Sequence, residues 1–488
     1  MTARTVVVGN GMAAVRLVEL LVARGVEGIT VIGDEPHAPY NRILLSAVLE
    51  GTHRPEAITL RPEQWYADHG IDLRLGARAT ELDTGRRLVV LADGGEVGYD
   101  RLVLATGSIP SLPPIRGLVR DDGRLHDRVH AFRHLDDCTR LLAAVEGGAR
   151  RAVVVGGGLL GVQVARALSV RGVETEIVEG GDHLLRSQVD EAAGAVLRRS
   201  LDRLGTAVYT GARAVRFTDS ETGGGLRLDN GYTLSTDLVV LTAGGRPSVT
   251  LARRAGLETR EGIVVDGTLA TSAAGVFAIG DCAEHDGRTT GFVGPAWEQA
   301  AVLADRLAGG DTVYGGHRPV ARLRATDLEV AVLGDPERAV LEPGAQAVQV
   351  SNPITGTHKR LVVRGGAIVA ATLVGDLSQI GVITQYFDRG TVLGPHEPGA
   401  LVVPPRAVAS PTSVALPDDA EVCACAGVTA GRIRACSTVA EVRETTRATT
   451  GCGGCAGAVA ALLGGPMGAP EAAGAHVSTL QAPFTVKP

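Results

Sequence analysis

The chain has 488 residues, a length that predicts three or more domains because a single hydrophobic core rarely grows that large. Its composition, 45% hydrophobic and 21% charged, is typical of a soluble globular protein. The formal net charge of −6 gives no support to nucleic-acid binding, which favours a basic surface, and no apolar run approaches the roughly 18 residues that a membrane span requires.

The N-terminus enters an apolar strand within a few residues, without the charged start and apolar core of a signal peptide. The sequence therefore predicts a cytoplasmic protein, whose seven cysteines are thiols or metal ligands rather than structural disulfides. A homodimer is compatible with the sequence, which does not decide the oligomeric state.

Two glycine-rich motifs, each directly after an apolar run, predict two dinucleotide-binding sites. They read VVVGNGMAA at 6–14 and VVVGGGLLG at 153–161. Either motif alone is a weak signal because glycine-rich turns between a strand and a helix are common. A hydride carrier needs one such site, whereas a protein that passes hydride from one dinucleotide to another needs two. The pair therefore indicates a flavoprotein reductase.

The residues of the first motif have distinct expected roles in binding a pyrophosphate. Gly9 permits the tight turn, Gly11 lets the backbone approach the phosphates, and Ala14 allows close packing of helix on strand. A helix that begins near Met12 and continues through Ala13 directs free N–H groups at the phosphates.

Each motif is followed by a second strand that ends in an acidic residue, which can accept hydrogen bonds from a ribose 2′-hydroxyl. After the first motif, the strand at 29–33 precedes Asp34 and Glu35, of which we favour Glu35. After the second motif the acid is Glu179, which favours NADH over NADPH because a carboxylate repels a 2′-phosphate; the nearby Arg186 opposes that preference. The glycines of the second motif are Gly156, Gly158 and Gly161.

These motifs resemble those of the two-dinucleotide-binding flavoproteins of the glutathione-reductase-like superfamily, in which the FAD domain is interrupted by the NAD domain. LATGS at 104–108 resembles the motif where the chain returns to the FAD domain, and 271–281 resembles the third FAD motif. The segment 35–46 resembles the flavin-contacting stretch of the NADH-dependent ferredoxin, rubredoxin and nitrite reductases. The resemblance implies that Asp281 bonds the flavin ribityl chain. The further FAD contacts that it implies are Arg42, Ala105, Thr106, Gly107 and Gly280.

The expected flavin site lacks a reactive thiol, so we assign no catalytic side chain. Disulfide reductases of this superfamily need a cysteine pair in the FAD domain, and no cysteine occurs before Cys138. Cys282, next to the third motif, is interpreted as a buried, inert thiol rather than a flavin neighbour. Trp297 has two open interpretations, a contact with the flavin pyrimidine or packing between domains. Gln163 stands where many relatives carry a glutamate.

Four cysteines near the C-terminus form a cluster that predicts a metal site. They occur as CAC at 423–425 and CGGC at 452–455. Zinc modules usually pair two Cys-x-x-Cys units, so the spacing of the first pair is unusual for zinc. Four thiolates also suit an iron–sulfur cluster, and the neighbouring glycines let backbone N–H groups turn toward sulfur. We favour iron–sulfur, with zinc or no metal as the alternatives.

The same segment resembles the bacterioferritin-associated-ferredoxin-like (BFD-like) [2Fe–2S] domain, and the resemblance implies the ligands Cys423, Cys425, Cys452 and Cys455. Thr438 is predicted to cap a helix between the two cysteine pairs. The region 433–437 is several residues shorter than in that family. Cys436 lies in the shortened part, and we assign it no ligand role.

The predicted fold class is α/β, with a glutathione-reductase-like double Rossmann-type core, a small α+β domain and a small, mostly helical [2Fe–2S] domain. The predicted boundaries are 1–118 and 245–310 for the FAD domain, 119–244 for the NAD domain, 311–395 for the α+β domain, 396–417 for a proline-rich linker, 418–463 for the [2Fe–2S] domain and 464–488 for a disordered tail.

NADH gives up two electrons as a hydride, whereas a [2Fe–2S] cluster accepts one at a time, and a flavin does both. The sequence therefore predicts electron flow from NADH to FAD to [2Fe–2S] to an acceptor. The combination resembles the N-terminal part of NAD(P)H nitrite reductase large subunits and the electron-transfer subunit of assimilatory nitrate reductase. The resemblance implies a separate nitrate or nitrite reductase as partner. The alternatives are a stand-alone NADH–ferredoxin or rubredoxin reductase and, more remotely, a module that docks on ferritin for iron release.

Overall fold

The computed structural model describes residues 3–220, 223–316, 318–403, 416–423, 426–450 and 455–464. The N-terminal part of the predicted FAD domain alternates valine-rich strands with helices, because β-branched side chains suit a sheet that is buried on both faces. Its elements are β1 (Thr5–Val8), α1 (Met12–Ala23), β2 (Ile29–Ile32), α2 (Leu45–Glu50), α3 (Glu63–Asp68), β3 (Asp72–Arg74), β4 (Ala79–Asp83), β5 (Leu88–Leu91), β6 (Glu96–Gly98), β7 (Arg101–Leu104) and β8 (Ser108–Pro110).

The predicted NAD domain forms a second parallel sheet in the order β12-β11-β10-β16-β9, with an antiparallel sheet β13-β14-β15 beside it. Its elements are β9 (Val129–Ala131), α4 (Leu135–Glu146), β10 (Arg151–Val155), α5 (Leu159–Val170), β11 (Glu174–Glu179), α6 (Glu191–Arg203), β12 (Thr206–Thr210), β13 (Ala214–Ser220), β14 (Gly223–Leu228), β15 (Thr233–Thr236) and β16 (Leu238–Leu241).

The chain then returns to the first sheet, whose order is β19-β7-β1-β2-β3 with all pairs parallel. The elements of this return are β17 (Gly245–Pro247), α7 (Thr250–Arg254), β18 (Ile263–Val265), β19 (Val276–Ala278), β20 (Ala283–His285), β21 (Arg288–Thr289) and α8 (Val293–Leu307). Because β19 pairs with β7, residues far apart in sequence complete one sheet. The predicted α/β class with two Rossmann-type units is confirmed.

A five-stranded antiparallel sheet, in the order β22-β23-β26-β25-β24, forms the third layer. Its elements are β22 (Val320–Ala325), β23 (Leu328–Leu333), α9 (Pro336–Ala339), β24 (Ala345–Asn352), β25 (Thr357–Arg364), β26 (Ala367–Val374), α10 (Ile380–Arg389) and α11 (Glu397–Val402). The predicted start of the linker at residue 396 is wrong, because residues Glu397–Val402 form α11. Residues Leu401 and Val402 of α11 are buried in the core of this layer, and Pro398 lies in the first turn of the helix, where proline is tolerated.

The described residues of the C-terminal unit, called here the cluster domain, form a short hairpin and three helices. They are β27 (Glu421–Cys423), β28 (Val428–Thr429), α12 (Ala430–Arg434), α13 (Val439–Thr446) and α14 (Ala456–Leu462). The predicted cap is confirmed, because the Thr438 hydroxyl accepts a hydrogen bond from the Glu441 N–H at 3.1 Å. The rest of the predicted linker, at 404–415, and the predicted disordered tail beyond Gly464 lie outside the described residues.

The second motif gives a test of the fold that needs no cofactor. Gly156 has a φ of +116°, and a Cβ there would lie 2.7 Å from the Thr242 carbonyl oxygen. We expect Gly156→Ala to destabilise the NAD domain by about 1–3 kcal/mol, because backbone strain adds to the clash. The matched control is Gly172→Ala, which has a φ of +80° but no neighbouring atom within 4 Å of the added Cβ. Calorimetry of both variants should show the larger fall in Tm for Gly156→Ala, and equal falls would contradict this account.

Candidate cofactor sites

One cavity of about 1820 Å³ brings together residues of both nucleotide-binding units, the third layer and the cluster domain. We call it the flavin cavity because most residues of the predicted FAD site line it. Those residues are Gly9, Gly11, Met12, Ala13, Glu35, Arg42, Ala105, Thr106, Gly107, Gly280 and Asp281. The volume exceeds the roughly 300–1000 Å³ of ordinary small-molecule sites, which fits an extended dinucleotide.

The first motif forms a cradle for an anion at the start of α1. Gly9 has a φ of +114°, and a Cβ there would lie 2.1 Å from the Ala105 carbonyl oxygen, so the turn requires glycine. No side chain caps the N-terminus of α1 at Gly11, and a Cβ on Gly11 would meet nothing closer than 3.9 Å. The first N–H groups of the helix are therefore free to bind phosphate, while Ala14 is fully buried behind them.

Glu35, the predicted ribose ligand, lies in a network of polar side chains at the end of β2. Its carboxylate accepts a hydrogen bond from the Tyr40 hydroxyl at 2.6 Å, pairs with Arg42 and lies 3.1 Å from His134 Nδ1. Burial opposes ionisation, but the His134 hydrogen bond and the Arg42 charge outweigh it and lower the pKa of Glu35 to about 2. The carboxylate is therefore ionised throughout the neutral range and is available as an acceptor.

Asp34, the alternative that we ranked below Glu35, has a different environment. Its carboxylate accepts two hydrogen bonds from Arg78, each of 2.9 Å, and both side chains are more than half exposed. An exposed ion pair of this kind contributes little to stability. The assignment of Glu35 as the ribose ligand stays a prediction.

Asp281, the predicted ribityl ligand, is held by two side chains from distant segments. Its Oδ2 accepts hydrogen bonds from Ser108 Oγ and from Arg133 Nη2, each at 2.8 Å. Arg133 and the neighbouring His134 precede α4 of the NAD domain, and the Asp137 carboxylate accepts a hydrogen bond from the backbone N–H of each. Arg133 and His134 could not be predicted from the sequence, because they lie outside the glycine motifs and no local pattern distinguishes them.

The second motif repeats the cradle at the start of α5. Within 4 Å of a Cβ on Gly158 there is no other atom, whereas a Cβ on Gly161 would lie 1.9 Å from the Gly156 carbonyl oxygen, so helix and strand pack closely there. Glu179 accepts hydrogen bonds from the Gly157 and Gly181 N–H groups, both at 2.7 Å.

The predicted NAD ligands and the part of α5 that lines the flavin cavity are different residues. The motif glycines and Glu179 do not line the cavity, but the following residues Leu159, Leu160 and Gln163 do. Arg186, which we expected to weaken the NADH preference, has its Nε 3.8 Å from a Glu179 carboxylate oxygen. Gln163 donates a hydrogen bond to the Arg324 carbonyl at 3.2 Å.

Two of the four predicted metal ligands line the same flavin cavity. Cys423 ends β27 and Cys455 precedes α14; both are buried, and both contribute to the cavity wall. The Thr449 N–H donates a hydrogen bond to Cys455 Sγ at 3.1 Å, the type of contact that stabilises a thiolate ligand. Cys425 and Cys452 lie outside the described residues. The donor chemistry of the described pair fits an iron–sulfur cluster.

Three further residues that the sequence singled out, Cys282, Trp297 and Cys436, are buried. Cys282 is fully buried, does not line the flavin cavity, and has its Sγ 3.3 Å from the Leu104 and Ile279 carbonyl oxygens; burial raises its pKa. Trp297 is buried in an apolar cluster that contains residues of the cluster domain, which favours the interpretation as packing between domains. Cys436 Sγ lies 3.5 Å from the Arg432 carbonyl oxygen, between α12 and α13.

Known proteins share both parts of this arrangement. Residues 3–302 match the model of the pyridine nucleotide-disulphide oxidoreductase family, and residues 421–464 match that of the BFD-like [2Fe–2S] binding domain. The fold and the site thus define an FAD-dependent NAD(P)H oxidoreductase that carries a [2Fe–2S] domain. The chain belongs to the pyridine nucleotide-disulphide oxidoreductase family.

Individual relatives are similar over most of this chain. A nitrite reductase [NAD(P)H] of Bacillus subtilis (strain 168) is 33% identical over 92% of the chain and 56% of its own length. The assimilatory nitrate reductase electron transfer subunit of the same organism is 30% identical over 92% of the chain and 58% of its own length. The chain therefore spans little more than half the length of these relatives. The crystal structure of a ferredoxin reductase for the CYP199A2 system from Rhodopseudomonas palustris has a TM-score of 0.71 and 27% identity, covering 82% of this chain and 97% of that one.

Among the residues that the structure describes, no helix is both long and apolar enough to cross a membrane.

The affinity for FAD distinguishes the roles of the two acidic residues that follow β2. We expect Glu35→Gln to weaken FAD binding to the apoprotein by about tenfold or more, because a hydrogen bond to a charged group contributes roughly 1.5–3 kcal/mol. Asp34→Asn is the matched control, since it neutralises the adjacent carboxylate, and it should leave affinity unchanged. Quenching of flavin fluorescence measures both. Equal affinity of Glu35→Gln and the wild type would exclude Glu35 as the ribose ligand.

Proposed function

We propose that this chain is an NADH-dependent electron-transfer subunit, which passes electrons from NADH through FAD and a [2Fe–2S] cluster to a separate nitrate or nitrite reductase. The observation that carries the proposal is that Cys423 and Cys455 line the same cavity as the first nucleotide motif. When bound, FAD accepts a hydride and releases electrons one at a time, and a [2Fe–2S] cluster accepts them singly.

The protein's own residues would supply binding, orientation and insulation. The free N–H groups of α1 and the carboxylates of Glu35 and Asp281 would fix the flavin dinucleotide, and the start of α5 would bind the nicotinamide dinucleotide. Glu179 supports a preference for NADH, because its carboxylate would repel a 2′-phosphate. The flavin cavity contains cysteines from the cluster domain alone among the described residues, so electrons have no competing thiol acceptor there.

The proposed electron acceptor is inferred from the names of the relatives. One of them is named as an electron transfer subunit of assimilatory nitrate reductase, and others are named as nitrite reductases, each similar over 92% of this chain. The chain spans 54–58% of the length of these three relatives, and the proposal for this chain covers the electron-transfer steps. A cytoplasmic location is part of the proposal.

A ferredoxin-type carrier is the second candidate acceptor. The likeness to the ferredoxin reductase from Rhodopseudomonas palustris over 82% of the chain favours it. NADH-driven rates with a nitrate or nitrite reductase and with a small ferredoxin distinguish the two. Faster turnover with the reductase supports the proposed partner, and faster turnover with the ferredoxin replaces it.

Cysteine substitutions test the electron path. In an anaerobic NADH titration, followed by visible absorption and EPR, the wild type should show flavin bleaching and then a reduced [2Fe–2S] signal. Cys455→Ser should still bleach its flavin but lose the cluster signal, because a proposed ligand is removed. The matched control is Cys436→Ser, another buried cysteine of the cluster domain, which should keep both. A cluster signal that persists in Cys455→Ser, or disappears in Cys436→Ser, would refute the ligand assignment.

A further inference from the structure

The loop at residues 447–450, called here the docking loop, connects α13 to the segment that contains the second cysteine pair. Arg447 and Thr449 both have left-handed backbone conformations, with φ values of +65° and +70°. Such conformations are strained for residues other than glycine and persist only where surrounding contacts hold them. Contacts within the cluster domain hold Thr449, through Arg443 and Cys455, whereas Arg447 and Thr450 are held by contacts with the FAD domain.

Arg447 makes the principal contact across this interface. Its Nη1 donates a hydrogen bond to the Leu60 carbonyl oxygen at 2.8 Å and lies 3.1 Å from Glu19 Oε1. A second contact is made by Asn41, whose side-chain amide donates to the Thr450 carbonyl oxygen. The docking loop is therefore fixed at both of its ends to the FAD domain.

The ion pair is almost excluded from water. The side chains of Arg447 and Glu19 are 9% and 8% exposed, and Arg61 Nε also donates to Glu19 Oε1 at 2.7 Å. Arg16 lies 3.8 Å from the other carboxylate oxygen, so one carboxylate compensates three guanidinium groups. Burial lowers the pKa of Arg447, and the Glu19 charge opposes that shift. Removal of Glu19 or Arg447 would leave a buried charge without its partner, which is strongly unfavourable.

Apolar packing surrounds the same interface. Met12, Val15 and Trp297 of the FAD domain share one buried cluster with Val428 and Val459 of the cluster domain. Residues 12, 15, 16 and 19 are spaced so that they lie on one face of α1. The N-terminus of that helix faces the flavin cavity, so one helix contacts the flavin site and the docking surface.

We propose that Arg447 is a positioning residue, which anchors the docking loop on Glu19 and Leu60 so that Cys455 is held at the wall of the flavin cavity. The link from Arg447 to the sulfur is short, because Thr449 of the same loop donates its N–H to Cys455 Sγ. The inference rests on the proposed function for its electron-transfer consequence, whereas the docking itself can be measured without turnover.

The test uses four full-length variants. Arg447→Gln and Glu19→Gln each remove one charge of the pair, from opposite sides of the interface. Arg447→Lys keeps the charge but replaces the planar guanidinium group with a shorter side chain that ends in an ammonium group. Arg434→Gln is the matched control, because Arg434 pairs with Asp418 inside the cluster domain at an exposed site.

Amide hydrogen exchange gives the readout that is independent of activity. Arg447→Gln and Glu19→Gln should both increase exchange at residues 58–61 and 446–450, and Arg434→Gln should not. An effect of Glu19→Gln on the cluster domain is the decisive result, because a role confined to the folding of that domain would not respond to a change on α1. Wild-type exchange in both variants would overturn the inference.

Single-turnover kinetics give the functional readout. Arg447→Gln should slow electron transfer from flavin to cluster by at least about tenfold, because loss of a buried ion pair lowers the docked population. Reduction of the flavin by NADH should stay at the wild-type rate, and Arg447→Lys should be intermediate. Unchanged transfer in Arg447→Gln would overturn the positioning role. A wild-type protein whose flavin is reduced while its cluster stays oxidised would instead refute the proposed function, and hydrogen exchange would still decide the docking.

Discussion

The first backbone N–H groups of α1 are uncapped, because Gly11 has no side chain that could bind them. Residues at this end of the helix line the flavin cavity. The side of the same helix carries Met12, Val15 and Glu19, which contact the cluster domain. Because a helix is stiff over three turns, the distance between the flavin site and the docked cluster domain is set by one rigid element. The cavity that the two sites share therefore depends on the contacts that α1 makes at its N-terminus and along its side.

Two carboxylates join the domains around that cavity, those of Glu35, whose side chain is 22% exposed, and of Glu19, whose side chain is 8% exposed. Glu35 binds Arg42 and also His134, which belongs to the NAD domain, while Glu19 binds Arg447 of the cluster domain. In both cases a single carboxylate contacts several basic or polar side chains at a junction between domains. Such groups contribute little net stability, but a misplaced domain would leave them without their partners, which is unfavourable. Their contacts therefore form only when the domains are correctly arranged around the site.

The fold class and both nucleotide-binding units could be predicted because the glycine motifs fix where β1 and β10 end and where α1 and α5 begin. The residues that join the domains could not, because Arg447 contacts Leu60 across 387 positions of sequence and no local pattern marks such a contact. The linker was predicted too early because its prolines dominate the composition, whereas burial of Leu401 and Val402 decides the structure. The assignment of individual site residues stays a prediction, although the structure gathers most of the FAD set in one cavity.

In the proposed function, flavin and cluster exchange electrons within one molecule. The most direct measurement mixes the oxidised protein with one equivalent of NADH under anaerobic conditions, at several protein concentrations, and follows flavin and cluster absorption over time. We expect flavin reduction to precede cluster reduction, and we expect the rate constant for the second phase to be independent of protein concentration. A rate that rises in proportion to protein concentration would mean transfer between molecules and would contradict the docked arrangement.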